Sequence, residues 1–153
     1  MTEKQFESIS ETLEDFKALI PRYRKIKNDE IKSKSFFVRN RNPIWDISKA
    51  VYFKTGLISD SVRKNPDEKY VDDHFIQRSR AMKFIFNELD KNEKMTVQEF
   101  IPCLKKYCST VRLSKYEHQK VTNFANDNPS FLNYEIYNKC NIEVKGLSEL
   151  ILN

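Results

Sequence analysis

Two histidines, His74 and His118, are all the imidazole this chain has, so chemistry that needs a ring nitrogen near neutral pH must pass through one of them. His74 ends the string Val71-Asp72-Asp73-His74, and His118 follows Glu117. An imidazole beside a carboxylate can polarise a water, and carboxylates with a further imidazole can ligate a divalent ion; these are the parts of a metal-assisted hydrolytic site. His74, Asp73 and Glu117 are therefore the candidate catalytic residues, with Asp72 as a further ligand or water-orienting group. Magnesium or manganese enters only with that chemistry, and no other cofactor is expected. Cys103, Cys108 and Cys140 form no C-x-x-C pair, so neither a zinc site nor a disulfide framework is expected. The competing reading is that each histidine sits half-exposed on a helix flank.

Asp73-His74 followed by Glu117-His118 resembles the His-centred pattern of HNH-type nucleases, with the first pair as its leading doublet and the second at a later ligand position. The resemblance implies a compact metal-dependent DNA endonuclease. It departs from the pattern in lacking the glycines and the asparagine-bearing loop, and in carrying helical spacing around both pairs. Strings of the form D/E-x-K, common in metal-dependent nucleases, occur at Asp15 to Lys17, Glu30 to Lys32, Asp67 to Lys69 and Glu143 to Lys145, close to chance in a chain 32% charged. Phe86 to Phe100 is similar to an EF-hand loop, but Lys94 and Met95 replace an acidic ligand and the required glycine, and Glu99 comes too early. That stretch is expected to be a helix end, a loop and a capping box. Two glycines leave no phosphate-cradling loop or dinucleotide fingerprint.

A second resemblance lies in Ile47 to Asn65, ISKAVYFKTGLISDSVRKN, which is similar to a helix-turn-helix. Gly56 would make the turn, Leu57 would pack between the helices, Ser59 would cap the second helix and Val62 would anchor it. Ser61, Arg63 and Lys64 would then approach the major groove. Tyr52 stands where a close helix crossing wants a small residue, so an ordinary helix–glycine–helix corner is the alternative.

Just upstream, Pro21 to Asn42 carries Arg22, Arg24, Lys25, Lys27, Lys32, Lys34, Arg39 and Arg41 against Asp29 and Glu30 alone. Such a stretch attracts phosphate. Tyr23, Phe36 and Phe37 are interleaved with the cations, as in surfaces that stack single-stranded bases, although the same aromatics would also suit a core strand. Arg22, Arg24, Lys25, Lys32, Lys34, Arg39 and Arg41 are the candidate phosphate contacts.

The elements that must position these residues read mostly as helix. Phe6, Ile9, Leu13, Phe16 and Ile20 form one apolar stripe on a helix that Pro21 ends; the stripe would pack on the body or serve as a homodimer seam. Ser33 to Asn42, with its FFV run, is the candidate strand of a small hairpin. Trp45, Ile47 and Val51 would open a helix, Asp67 to Leu89 a long central one, and Thr96-x-x-Glu99 and Ser114-x-x-Glu117 have the form of capping boxes starting two more. Ile142, Val144, Leu147, Leu150 and Ile151 would close the chain against the body.

The 153 residues suit a single domain, with an N-terminal helix over 1–20, a basic segment over 21–42 and a helical body over 43–153. The fold class expected is mainly α, a compact multi-helix domain with at most a small β-hairpin. A net charge of +5, no membrane-length apolar run and a polar N-terminus point to a soluble cytoplasmic protein without a membrane partner. Function is expected to be nucleic-acid binding, DNA ahead of RNA, through the corner and the basic segment. The metal-dependent endonuclease is the first alternative, and a phage-type protein-interaction or inhibitor module the second.

Overall fold

The computed structural model describes residues 1–43, 46, 54–74, 76–128, 131 and 133–147. Among these, the elements in chain order are α1 (Glu3–Ile26), α2 (Glu30–Asn40), β1 (Lys54–Ile58), α3 (Asp60–Lys64), β2 (Tyr70–His74), α4 (Arg78–Lys91), α5 (Val97–Cys108), β3 (Thr110–Ser114), α6 (Lys115–Asp127) and α7 (Asn133–Lys139). The chain is thus mainly helical with one small sheet. None of its described helices is long and apolar enough to cross a membrane. Two compact units form, one from Met1–Phe53 with Arg78–Cys108, the other from Lys54–Gln77 with Ser109–Asn153.

The first unit is a helical cluster around α4, which packs against α1, α2 and α5. Ile9, Leu13, Phe16 and Ile20 of the α1 stripe are at most 2% exposed inside it, so that stripe is consumed by the core and offers no seam to a second copy. Phe6, at the outer end of the stripe, is exposed. Contrary to the expected stop, α1 runs past Pro21 to Ile26. Pro21 is exposed, so the carbonyl it leaves without an N–H donor faces water, and Tyr23, Arg24 and Lys27 beyond it are held by tertiary partners. Tyr23 donates to Asn87; Arg24 and Lys27 both pair with Asp90, and Arg24 also with Glu93.

The strand expected over Ser33 to Asn42 is instead α2, capped by Asp29, whose carboxylate accepts from the Lys32 N–H at 3.0 Å. Adjacent Phe36 and Phe37 are both buried and meet Tyr23 and Phe86 at ring-centroid distances of 5.1 to 6.4 Å. Two consecutive aromatics look like a strand in sequence, but here α2 is covered on more than one side. The box at Thr96 forms as expected: Glu99 N–H donates to Thr96 Oγ1 at 3.3 Å and the Thr96 N–H to Glu99 Oε2 at 2.7 Å. Asp90 and Glu99, both within the calcium-loop look-alike, are thereby committed to ion pairs and a cap.

The second unit carries the β-structure, in segments where helices were expected. Its sheet has the order β1-β3-β2, with β1 parallel and β2 antiparallel to β3. Tyr70–His74 was expected inside a long helix over Asp67 to Leu89; only its second part, α4, is helical. The reason is pairing at a distance: all five residues of β2 find partners in β3, from Tyr70 opposite Ser114 to His74 opposite Thr110. The corner around Gly56 is also corrected. Gly56 lies within β1 at φ +76°, where the register against β3 shifts, so it joins no pair of helices. The helix expected to open with Trp45, Ile47 and Val51 lies outside the described residues, as do Leu150 and Ile151.

Candidate active site

A strand, its antiparallel neighbour and the helix that follows directly build the site. Strand side chains alternate, so Val71 and Asp73 of β2 share a face with Val111 and Leu113 of β3, while Tyr70, Asp72 and His74 point to the other face with Thr110 and Arg112. Helix α6 packs on β2 and β3 from the first face. It starts at once after β3 because Ser114 is both the last strand residue and the helix cap: Glu117 N–H donates to Ser114 Oγ at 3.2 Å and the Ser114 N–H to Glu117 Oε2 at 2.8 Å.

That tight start fixes the phase of α6 and brings His118 over the sheet. His118 Nδ1 lies 2.9 Å from Asp73 Oδ1. The second oxygen, Oδ2, accepts from the hydroxyl of Tyr137 on α7. Asp73 is buried, whereas the His118 side chain is 39% exposed. A buried carboxylate therefore holds the inner nitrogen of a ring whose remaining edge reaches solvent. The hydrogen bond to Asp73 raises the His118 pKa above its ordinary 6.5, partial burial opposing it. Burial pushes the Tyr137 hydroxyl well above 10, and the Asp73 charge adds to it, so Tyr137 remains a donor.

Of the candidate catalytic residues, Asp73 sits at this centre and the other two do not join it through their side chains. Glu117 is buried and bonded to Ser114 and to Ser59 Oγ, 2.6 Å away. Its role is structural. His74 ends β2, buried, on the opposite face beside Thr110, whose Oγ1 is buried and without a hydrogen-bond partner among the described residues. Asp72 pairs with Lys54 at 2.7 Å and Arg112 at 3.6 Å, and the Arg112 guanidinium lies 4.6 Å from the Tyr70 ring centre. His118 was named as one of the two imidazoles and in the HNH-like doublet but not among the candidate catalytic residues, and Tyr137 was missed. One signal was present for His118: a glutamate at the third position of a capping box must turn back to its cap, which leaves the next residue to face the sheet. No local pattern connects Tyr137 with a strand 64 residues earlier.

Of the groove residues expected at the corner, Ser59 does cap α3, its Oγ accepting from the Val62 N–H at 3.3 Å, and Val62 is buried. Ser61 is half-buried, Lys64 is exposed and Arg63 pairs with Asp60 at 3.1 Å. Helix α3 has five residues, so its length of about 7.5 Å falls short of the roughly 12 Å width of a major groove. In the basic segment Arg24 is tied into its ion pairs and Lys32 to Asp29 at 3.0 Å. Arg22, Lys25, Lys34 and Arg39 are exposed and Arg41 is half-buried, its charge helping burial to lower the Arg78 pKa. Tyr23, Phe36 and Phe37 are buried, which removes them as base-stacking surfaces.

The three cysteines are free thiols, and burial pushes Cys103 up to about 12. Among the described residues no three His, Cys, Asp or Glu side chains are grouped to hold a metal ion. Two donors do converge, at Asp73 and His118. The 2.9 Å between Oδ1 and Nδ1 is that of a hydrogen bond, and only Oδ1 and Nδ1 come together there. Comparison with known protein families, with curated proteins and with solved structures finds no match.

Proposed function

We propose that the protein is a metal-dependent nuclease that cleaves DNA at the β2–β3–α6 unit. The observation that carries this reading is the convergence of Asp73 and His118 across a strand, its antiparallel partner and the helix that follows. The HNH-like doublet suggested that chemistry, and the objection that both of its segments carry helical spacing falls away for Asp73-His74, which lies on a strand. Asp73 and His118 are the residues that would hold magnesium or manganese, an ion that keeps most of its waters and so needs few protein donors. When bound, the ion supplies positive charge against the phosphate oxygens as the P–O bond breaks.

The chain's own residues prepare that step. Tyr137 pins one carboxylate oxygen of Asp73 and leaves the other for the ligand position. His118 must give up the Nδ1 proton, and with it the hydrogen bond to Asp73, to become a ligand. His74, buried on the opposite face of the sheet beside Thr110, is left out of that step. Plasmid cleavage with magnesium or manganese, set against EDTA, tests the reading: cleavage should appear only with metal and vanish in His118→Ala and Asp73→Ala. Cleavage that persists in EDTA or in both variants would overturn it.

A further inference from the structure

Within the helical unit, α1 and α2 enclose a cleft of about 430 Å³. Three cations from two helices line it: Arg22 from α1, and Lys32 and Arg39 from α2. Ser35 lies between the last two, so Lys32, Ser35 and Arg39 follow the 3-and-4 spacing of one helix face. Among the described residues no carboxylate lines the cleft, and none is paired with Arg22 or Arg39. Lys32 is balanced by Asp29, but concentrating Arg22 and Arg39 in one concave site without counter-charge costs stability, and binding an anion relieves that cost. The apolar side is equally specific. Ile31 is 83% exposed beside the cations, and Ile26 lines the cleft across from it.

We propose that this cleft binds the sugar–phosphate backbone of DNA, with the guanidinium groups of Arg22 and Arg39 forking onto phosphate oxygens, the Ser35 hydroxyl donating to them, and Ile31 against the sugar. Arginine's planar fork matches phosphate geometry, which a scattered set of lysines does not. The reading also divides the basic segment. Arg22, Lys32 and Arg39 contact the strand, whereas Lys25 and Lys34, exposed but outside the cleft, contribute only general field. The choice of DNA rests on the nuclease reading, but the site is tested without cleavage.

Fluorescence anisotropy with labelled duplex and single-stranded oligonucleotides, in EDTA and across a salt series, decides it. Arg22→Gln/Arg39→Gln should lower affinity at least tenfold and reduce the slope of log K against log salt by roughly 1.8 on duplex, or 1.4 on single strand, the loss of two phosphate contacts. Lys25→Gln/Lys34→Gln should change the slope by less than half as much. All four side chains are exposed, so circular dichroism and Tm should match the wild type in both variants. Equal slopes for the two double variants, or no DNA binding by the wild type, would overturn the cleft as a backbone site. Metal-dependent cleavage with an unchanged Arg22/Arg39 slope would overturn the cleft alone, and binding of the predicted kind without cleavage would overturn the nuclease alone.

Discussion

Ser59 Oγ donates to Glu117 Oε2 at 2.6 Å, so one buried carboxylate oxygen joins the cap of α3 to the cap of α6 across 58 residues. The same oxygen accepts the Ser114 N–H, and Ser59 Oγ in turn accepts the Val62 N–H. Glu117 is thus a joint between helix starts, although its composition and position beside His118 suggest chemistry. Glu117→Ala would leave the Ser59 hydroxyl and the Ser114 N–H unpaired in buried surroundings, at a cost of about 2–3 kcal/mol. Urea unfolding should register that loss. Cleavage per folded molecule, assayed below the transition, should be largely retained, which separates Glu117 from Asp73 and His118.

The Asp73–His118 pair gives stability a defined pH dependence. The folded His118 pKa lies above the unfolded 6.5, so the imidazolium–carboxylate contact contributes fully below about pH 6.5 and is lost as pH rises through the folded value. Melting temperatures measured from mildly acidic to mildly alkaline pH should fall over that window in the wild type and less steeply in Asp73→Asn. Manganese affinity, followed by calorimetry, should move the opposite way, rising as the proton leaves His118. A pH-independent affinity over that window would remove His118 from the ligand set.

Phe86 is fully buried and meets the rings of Phe16, Tyr23, Phe36 and Phe37. Phe86→Ala should cost about 3–5 kcal/mol, since four rings cannot all move in to fill the space. Because two of those rings belong to α2, the variant should also lose salt-dependent DNA binding well before it unfolds. Phe86→Leu, which keeps more of the volume, should retain it.

Gly56 and Gly146 both adopt positive φ, at +76° and +82°. An added Cβ at Gly56 meets nothing within 4 Å, so Gly56→Ala should cost only the left-handed backbone strain of about 1–2 kcal/mol. At Gly146 the Cβ would stand 3.3 Å from Leu57 Cδ2. Gly146→Ala should therefore be the more destabilising of the two, and denaturant midpoints check the order.

Local signals in the sequence located what local physics decides. Thr96 with Glu99 and Ser114 with Glu117 mark two helix starts, and the spacing of Ile9, Leu13, Phe16 and Ile20 marks the buried side of α1. What stayed hidden depends on distant partners. Tyr70–His74 alternates a half-buried valine with a buried aspartate, so no apolar alternation announces a strand, and its pairing strand lies 36 residues further on. Phe36-Phe37 suggests a strand because nothing nearby says that a helix will be covered by both α1 and α4. At the site, Asp73 was legible from its neighbour His74, whereas its actual contacts, His118 and Tyr137, are set by how α6 and α7 pack in the folded unit.

The chain leaves the sheet after β2, makes the helices of residues 78–108 in the other unit, and only then supplies β3 and α6. Neither unit is a continuous piece of sequence. During synthesis, Asp73 is made well before His118, and Tyr137 later still, so a ribosome-bound chain cannot join these three side chains until the intervening helices have been produced. A chain wired in this order cannot make the Asp73–His118 contact early in its synthesis, and no single cut can release either unit on its own.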